Sequence, residues 1–254
     1  MLGDMPGRLL VLDVVGLVPS LLGPHVGALA RGGWQRSLAP VFPAVTCTAQ
    51  ASMLTGLLPP TSGEIAVCGW KLGDDPVELK RRIGVLPEDL GLFDDLTVEE
   101  HLHLTGDVYG VDRAETRART DQLLRAFSLE HGRNTFAAAC SHGMRKKTAF
   151  AMALLPNPQV LFLDEPFEAV DPVTSKVMRE LLASVARRGV TVFLTSHILP
   201  VVERIATQLI IIRGGRILWD APAGELPQSL EEHYLGLIEA PAVEELEWLG
   251  SARS

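Results

Sequence analysis

The run VLFLDEP at residues 160–166 sets the strongest limit on what this chain can fold into. Four consecutive apolar residues without polar alternation need burial on both faces, which a central strand of a parallel sheet provides. The two acids that follow then fall at a strand's carboxyl end, where open α/β sheets bind ligands. The neighbouring segments fit the same plan. HGMRKKTAFAMALLPNP (142–158) has helical periodicity, and VTSKVMRELLASVARRG (173–189) reads as an amphipathic helix stopped by Gly189. VTVFLTSH (190–197) is a second apolar strand, followed by a helix in ILPVVERIA (198–206) and by TQLIIIRGGRILWDAPAGEL (207–226). Strands that alternate with helices predict a parallel α/β sheet.

Upstream, RLLVLDVV (8–15) reads as a buried strand, with Pro19, Gly23 and Pro24 in a loop before a short helix near 25–31. Asp13, Pro19 and Pro24 interrupt the apolar stretch 8–30 and Asp4 weakens its positive start, so it is not read as a signal peptide or a membrane span. SLAPVF (37–42) reads as a strand, TAQASMLTGLL (48–58) as a helix ending before Pro59 and Pro60, and SGEIAVCGWKL (62–72) as a strand turning at Gly69. PVELKRRIGVLPE (76–88) gives a helix and then a strand; 97–111 and 113–129 are helices, the first with a capping box from Thr97 and Glu100. The tail 226–254 is an appended helix or loosely held end. The net charge of −8 gives no electrostatic reason to expect nucleic acid as a partner. Cys47, Cys68 and Cys140 share no zinc-type spacing and read as reduced thiols of a cytosolic protein.

The candidate chemistry lies at the strand ends. A carboxylate at Asp164 can hold Mg²⁺ through water, and Glu165 can polarise an attacking water, although such a pair can also merely cap a turn. Ser141-His142-Gly143 opens a helix and presents a hydroxyl and backbone N–H groups that suit an anion. His197, after the second apolar strand, can hold a terminal phosphate or be an ordinary surface histidine. Glu88 follows another strand, before a loop into the helical region.

In order and spacing, residues 53–225 resemble the ATP-binding subunits of ABC transporters. Ser141 and Gly143 match the LSGGQ signature, which here reads Cys-Ser-His-Gly-Met. Asp164 and Glu165 match the Walker B pair, Asp171 the D-loop and His197 the switch histidine, while Glu88 stands where the family usually has the Q-loop glutamine. The resemblance implies an α/β fold with a mostly parallel sheet of P-loop NTPase type and a helical subdomain near 90–140. It implies catalytic roles for Glu165 and His197, metal binding by Asp164 and Glu88, and ATP contacts from Thr48, Ser141, Gly143 and Asp171. ATP and Mg²⁺ are the implied cofactors. The implied partners are a multi-span membrane permease and a second ATP-binding subunit, in a homodimer or heterodimer held peripherally at the cytoplasmic membrane.

The front of the chain departs from that pattern. The family's G-x-x-x-x-G-K-[ST] motif falls on VFPAVTCT (41–48), where Val41 and Thr46 occupy the glycine positions and Cys47 the lysine position; only Thr48 fits. Pro43 has no N–H, and β-branched residues do not readily form a nest of N–H groups around phosphate. LLGPHVGALAR (21–31) echoes the motif but carries Ala28 and Leu29 at the second glycine and the lysine positions. Residues 8–58 instead resemble the start of a nucleotide pyrophosphatase/phosphodiesterase of the alkaline phosphatase superfamily. Asp13 matches a metal-binding aspartate there and Thr46 the nucleophile. The expected organisation is a phosphodiesterase-like segment at 1–58, an ABC-type domain at 59–225 and a tail at 226–254. The expected function is an ATP-binding subunit with an impaired site of its own. The alternatives are a non-hydrolysing subunit that completes a partner's site, or a metal phosphodiesterase remnant.

Overall fold

The computed structural model describes residues 9–17, 34–35, 64–67, 70–71 and 76–237. Its centre is a five-stranded sheet. The strands are β1 (Leu9–Leu17), β5 (Ile83–Leu86), β6 (Val160–Asp164), β7 (Thr191–Thr195) and β8 (Gln208–Pro222). Their order is β5-β6-β7-β1-β8, and every neighbouring pair is parallel. All carboxyl ends therefore share one edge. Leu86, Leu163, Leu194, Val11 and Leu209 form one continuous row across it.

β6 is buried at all five positions, as its unbroken apolar run requires. The helices α4 (His142–Leu154), α5 (Pro172–Arg187) and α6 (Leu199–Ile205) follow the order read from the sequence. Gly189, with φ of 96°, sits just past α5 in the left-handed region that glycine adopts without penalty. Between β5 and α4 come α2 (Val98–Tyr109) and α3 (Arg113–Ala126), the helical region expected near 90–140. Thr97 and Glu100 form the expected capping box on α2. This region shares one continuous core with the sheet: Phe127 meets Phe150 of α4 edge-on at 5.6 Å, among Leu102, Leu124, Leu161 and Leu163. A short helix α1 (Pro76–Arg81) precedes β5, and α7 (Leu230–Leu237) lies in the tail.

A second, antiparallel sheet joins β2 (Trp34–Gln35), β3 (Glu64–Val67) and β4 (Trp70–Lys71). β3 and β4 account for the strand expected to turn at Gly69. The strand expected at 37–42 and the helices expected at 25–31 and 48–58 lie outside the described residues. The sequence left the place of the first strand open. The structure inserts it between β7 and β8, inside the parallel sheet.

Gly84 marks the closest approach of β5 to its cover. A Cβ there would collide with the Ala153 carbonyl oxygen of α4 and stand 2.7 Å from Leu161 Cδ2. Backbone cannot yield as a flexible side chain does. Gly84→Ala is expected to cost about 1–3 kcal/mol, read as a lower urea midpoint with an unchanged slope.

Candidate functional site at the carboxyl edge of the sheet

β6 and β7 end side by side, with Asp164 in register with Thr195. Both are buried, and Thr195 Oγ1 donates to Asp164 Oδ1 at 2.6 Å. The chain then turns sharply. Glu165 has φ of 43°, a left-handed conformation rare for a glutamate. Its N–H still reaches β7, 3.2 Å from the Thr195 carbonyl and 3.4 Å from its hydroxyl. Its carboxylate accepts the His197 backbone N–H at 3.3 Å and lies 3.0 Å from His197 Nδ1. The structure thus brings Asp164, Glu165 and His197 together by joining two strand ends.

Ser141 and Asp171 are both exposed and both N-cap helices. Ser141 Oγ accepts the Met144 N–H of α4 at 3.2 Å. Asp171 accepts the N–H groups of Val173 and Thr174 at 3.0 Å each and the Thr174 hydroxyl at 2.6 Å. The Thr174 hydroxyl, then the backbone N–H groups, hold the Asp171 carboxyl below its ordinary value. A Cβ at Gly143 would meet nothing within 4 Å, so the start of α4 faces open space. Glu88 is exposed in the segment after β5. Thr48 lies outside the described residues. Asp13 falls in β1; Val11 is level with Leu194 and Leu163, so Asp13 reaches the same edge, one residue beyond the level of Asp164 and two strands away.

Two residues and one bond at this edge escaped the sequence reading. The strand ends at Asp164 and near Thr195 are expected side by side from the sequence, but no local signal gives the Thr195 hydroxyl as the partner of Asp164. Ala169, with φ of 53°, holds the turn between β6 and α5. Lys146, on the second turn of α4, is only 3% exposed. Burial pushes its ammonium below the usual lysine range, against the pull of Glu168, Glu165, Asp164 and Glu88. For a metal, no group of three His, Cys, Asp or Glu among the described residues is placed to hold an ion unaided. Mg²⁺ does not demand such a cage, because it is commonly held by one or two carboxylates with waters and phosphate oxygens. The hard oxygens of Asp164 and Glu88 fit that need.

Residues 47–168 match the family described as ABC transporter. The chain is 33% identical over 192 residues to the ABC transporter ATP-binding protein NatA of Bacillus subtilis (strain 168), covering 75% of this chain and 78% of NatA. The chain belongs to the ABC transporter ATP-binding family. It is also 34% identical over 180 residues to the bacitracin transport ATP-binding protein BcrA of Bacillus licheniformis, spanning 58% of that protein's length. A solved ATP-binding subunit of an ABC transporter superposes with a TM-score of 0.72 at 28% identity, covering 91% of this chain and 88% of that one. A dimeric ATP-binding cassette bound to ADP and Pi shares the fold, with a TM-score of 0.64 at 21% identity. Residues 9–74 separately match the type I phosphodiesterase / nucleotide pyrophosphatase family. The two family matches overlap over residues 47–74.

Two outcomes follow from the turn and the cap. Ala169→Gly relieves a left-handed alanine and is expected to stabilise the protein by about 0.5–1 kcal/mol net of the added freedom of the unfolded chain, seen as a higher urea midpoint. Asp171 has a depressed carboxyl, so its contribution is present above the unfolded aspartate value, about 4, and is lost as pH falls through the lower folded value. The difference in melting temperature between wild type and Asp171→Ala should therefore be clear at pH 6 and shrink on acidification below pH 4.

Proposed function

We propose that this chain is an ATP-binding subunit that couples ATP to a membrane permease, and that its own ATP site is impaired. The observation that carries the impairment is the lysine inventory. The first lysine of the chain is Lys71, so neither 41–48 nor 21–31 has an ammonium for the terminal phosphates. In phosphoryl transfer the protein mainly positions phosphates and stabilises their charge. Glu165, with His197 beside it, would direct water, Asp164 and Glu88 would hold Mg²⁺, and Thr48 would add a hydroxyl. Bound Mg²⁺ would neutralise phosphate charge there. A base has little to act on where the phosphate is not held.

Among the described residues no helix is long and apolar enough to cross a membrane. Membrane association therefore falls to the permease in this reading, with the chain on the cytoplasmic side. The helical region supports a docking role. Phe93 and Phe136 are 59% and 53% exposed, on segments joined by the Ala137 N–H to Leu96 carbonyl bond at 2.9 Å. The division into 1–58, 59–225 and 226–254 belongs to the same proposal.

The open approach above Gly143 favours a second reading, a subunit that does not hydrolyse ATP itself. In it, Ser141 and Gly143 serve the nucleotide of a second ATP-binding subunit in a dimer, and Asp171 lies at the junction. The match over residues 9–74 keeps a phosphodiesterase remnant as a third.

The purified chain is expected to show no more than marginal ATPase activity, since losing even one aimed donor costs on the order of 10² to 10³ in rate. Replacing 41–48 with a glycine-rich, lysine-bearing loop should raise Mg²⁺-dependent turnover, and Glu165→Gln should remove the gain. Robust turnover by the unmodified chain, abolished by Glu165→Gln, would refute the impairment. Activity that appears only with a second ATP-binding subunit selects the second reading, and metal-dependent cleavage of a nitrophenyl phosphodiester the third.

A further inference from the structure

Ser141 lies at a bend that one side chain spans. On one side of it is a single 3₁₀ turn, Ala137–Ala139. On the other side Arg145 closes the first turn of α4, its N–H bonding the Ser141 carbonyl at 2.9 Å. Arg145 Nη1 donates to the Ala137 carbonyl at 2.8 Å and to Asp94 Oδ1 at 3.0 Å. A guanidinium is a rigid fork of N–H donors with no acceptor, which suits it to hold two oxygens at once. At many helices a hydrophobic pair brackets the N-cap and fixes the angle at which the chain enters. Here the bracket is polar, and it runs on to a second segment. That segment, Phe93 to Leu96, is itself bound to the 3₁₀ turn by main chain. The Ala137 N–H meets the Leu96 carbonyl at 2.9 Å, and the Ala138 N–H the Asp94 carbonyl at 3.3 Å. His101 Nε2 holds its other end through the Phe93 N–H at 2.9 Å.

We propose that Arg145 is a positioning residue for Ser141. By tying both sides of the bend to Asp94, it sets the orientation in which Ser141 and Gly143 face the open space at the start of α4. Stability is not its main contribution. The side chains of Asp94 and Arg145 are 68% and 29% exposed, and an ion pair so open to solvent is worth little. Its loss does not orphan the buried Ala137 carbonyl, which keeps the Cys140 N–H at 3.1 Å. Position matters more, because a misplacement of about 1 Å costs on the order of 10²-fold in rate. Arg145 needs no contact with nucleotide in this role. The inference rests on the reading in which Ser141 and Gly143 serve the nucleotide of a second ATP-binding subunit.

Ser141 Oγ accepts the Met144 N–H at 3.2 Å, so that amide reports where the hydroxyl stands. The test follows amide hydrogen exchange of the full chain by nuclear magnetic resonance. Arg145→Met should speed exchange at Met144 about fivefold, the scale of a lost N-cap, with little change in melting temperature or at Phe150 and Ala151 inside α4. Ser141→Ala should do the same, and adding Arg145→Met to it should do no more. Arg145→Lys, which keeps the charge and donors, should recover most of the protection. If Arg145→Met does not fold, Asp94→Ala replaces it with the same expectation. Exchange at Met144 that is unchanged, or that rises only with all of α4 and a lower melting temperature, overturns the role of Arg145. A second arm reads function. The chain with a glycine-rich, lysine-bearing loop at 41–48, carrying Ser141→Ala, supplies the nucleotide site, and the unmodified chain supplies Ser141. Turnover by the mixture should fall in kcat when the unmodified chain carries Arg145→Met. Unaltered kcat in that mixture also overturns the role of Arg145. Turnover that is absent, or equal with wild-type and Ser141→Ala partners, overturns the second-subunit reading and leaves Met144 exchange to decide Arg145.

Discussion

The hydroxyl of Thr195, 2.6 Å from the Asp164 carboxylate, is the contact on which the rest of the site depends. It joins the ends of two buried parallel strands at the point where both chains leave the sheet. A buried carboxylate needs hydrogen-bond partners, and a threonine on the neighbouring strand supplies one without a second charge. With that level set, the next residue on each chain follows. Glu165 turns through a left-handed conformation, and its carboxylate meets His197, two residues past Thr195. The geometry is therefore a consequence of strand register. A slip of one residue would separate the pair and turn Asp164 to the other face of the sheet.

The site extends beyond these contacts. β6 ends in Asp164, with Glu165 next along the chain, and Glu88 lies two residues past the end of β5. The segment leading from Glu88 into α2 is tied from within. His101 is fully buried, with Nδ1 2.7 Å from the Thr97 carbonyl and Nε2 accepting the Phe93 N–H at 2.9 Å. Those two bonds require a neutral ring with its proton on Nδ1. A buried histidine thus shapes the loop between a candidate metal ligand and the exposed Phe93.

The front of the chain poses a different problem, because two family matches overlap there. The sheet accommodates the junction by a simple physical rule. An apolar β-branched run such as LLVLDVV needs neighbours on both edges and cover on both faces, and the gap between β7 and β8 offers those edges. Filling that gap completes the sheet and brings Asp13 to the same edge as Asp164. It does not restore a lysine to the segments upstream of Lys71. Strand pairing and phosphate binding are separate requirements, and β-branched residues suit the first better than the second.

Much of this protein was legible in the order of its residues. The unbroken apolar run before Asp164 determined a buried strand, and the periodicities of α2 to α5 determined their helices. Thr97 with Glu100 and the stop at Gly189 determined particular ends, because these signals act between residues close in the chain. The family motifs named Asp164, Glu165, Ser141, Gly143, Asp171, His197 and Glu88 as candidates for the same reason. What sequence order could not decide is which distant segments become neighbours. Parallel strands are joined by long crossovers, so nothing local announces that the Thr195 hydroxyl bonds Asp164 or that the first strand enters between β7 and β8. Lys146 shows the limit most plainly. In the sequence it is the middle of a basic run, Arg145-Lys146-Lys147, with nothing local that sets it apart from its neighbours. The packing of α4 against the sheet leaves the middle residue only 3% exposed, and that burial is decided by the tertiary structure alone.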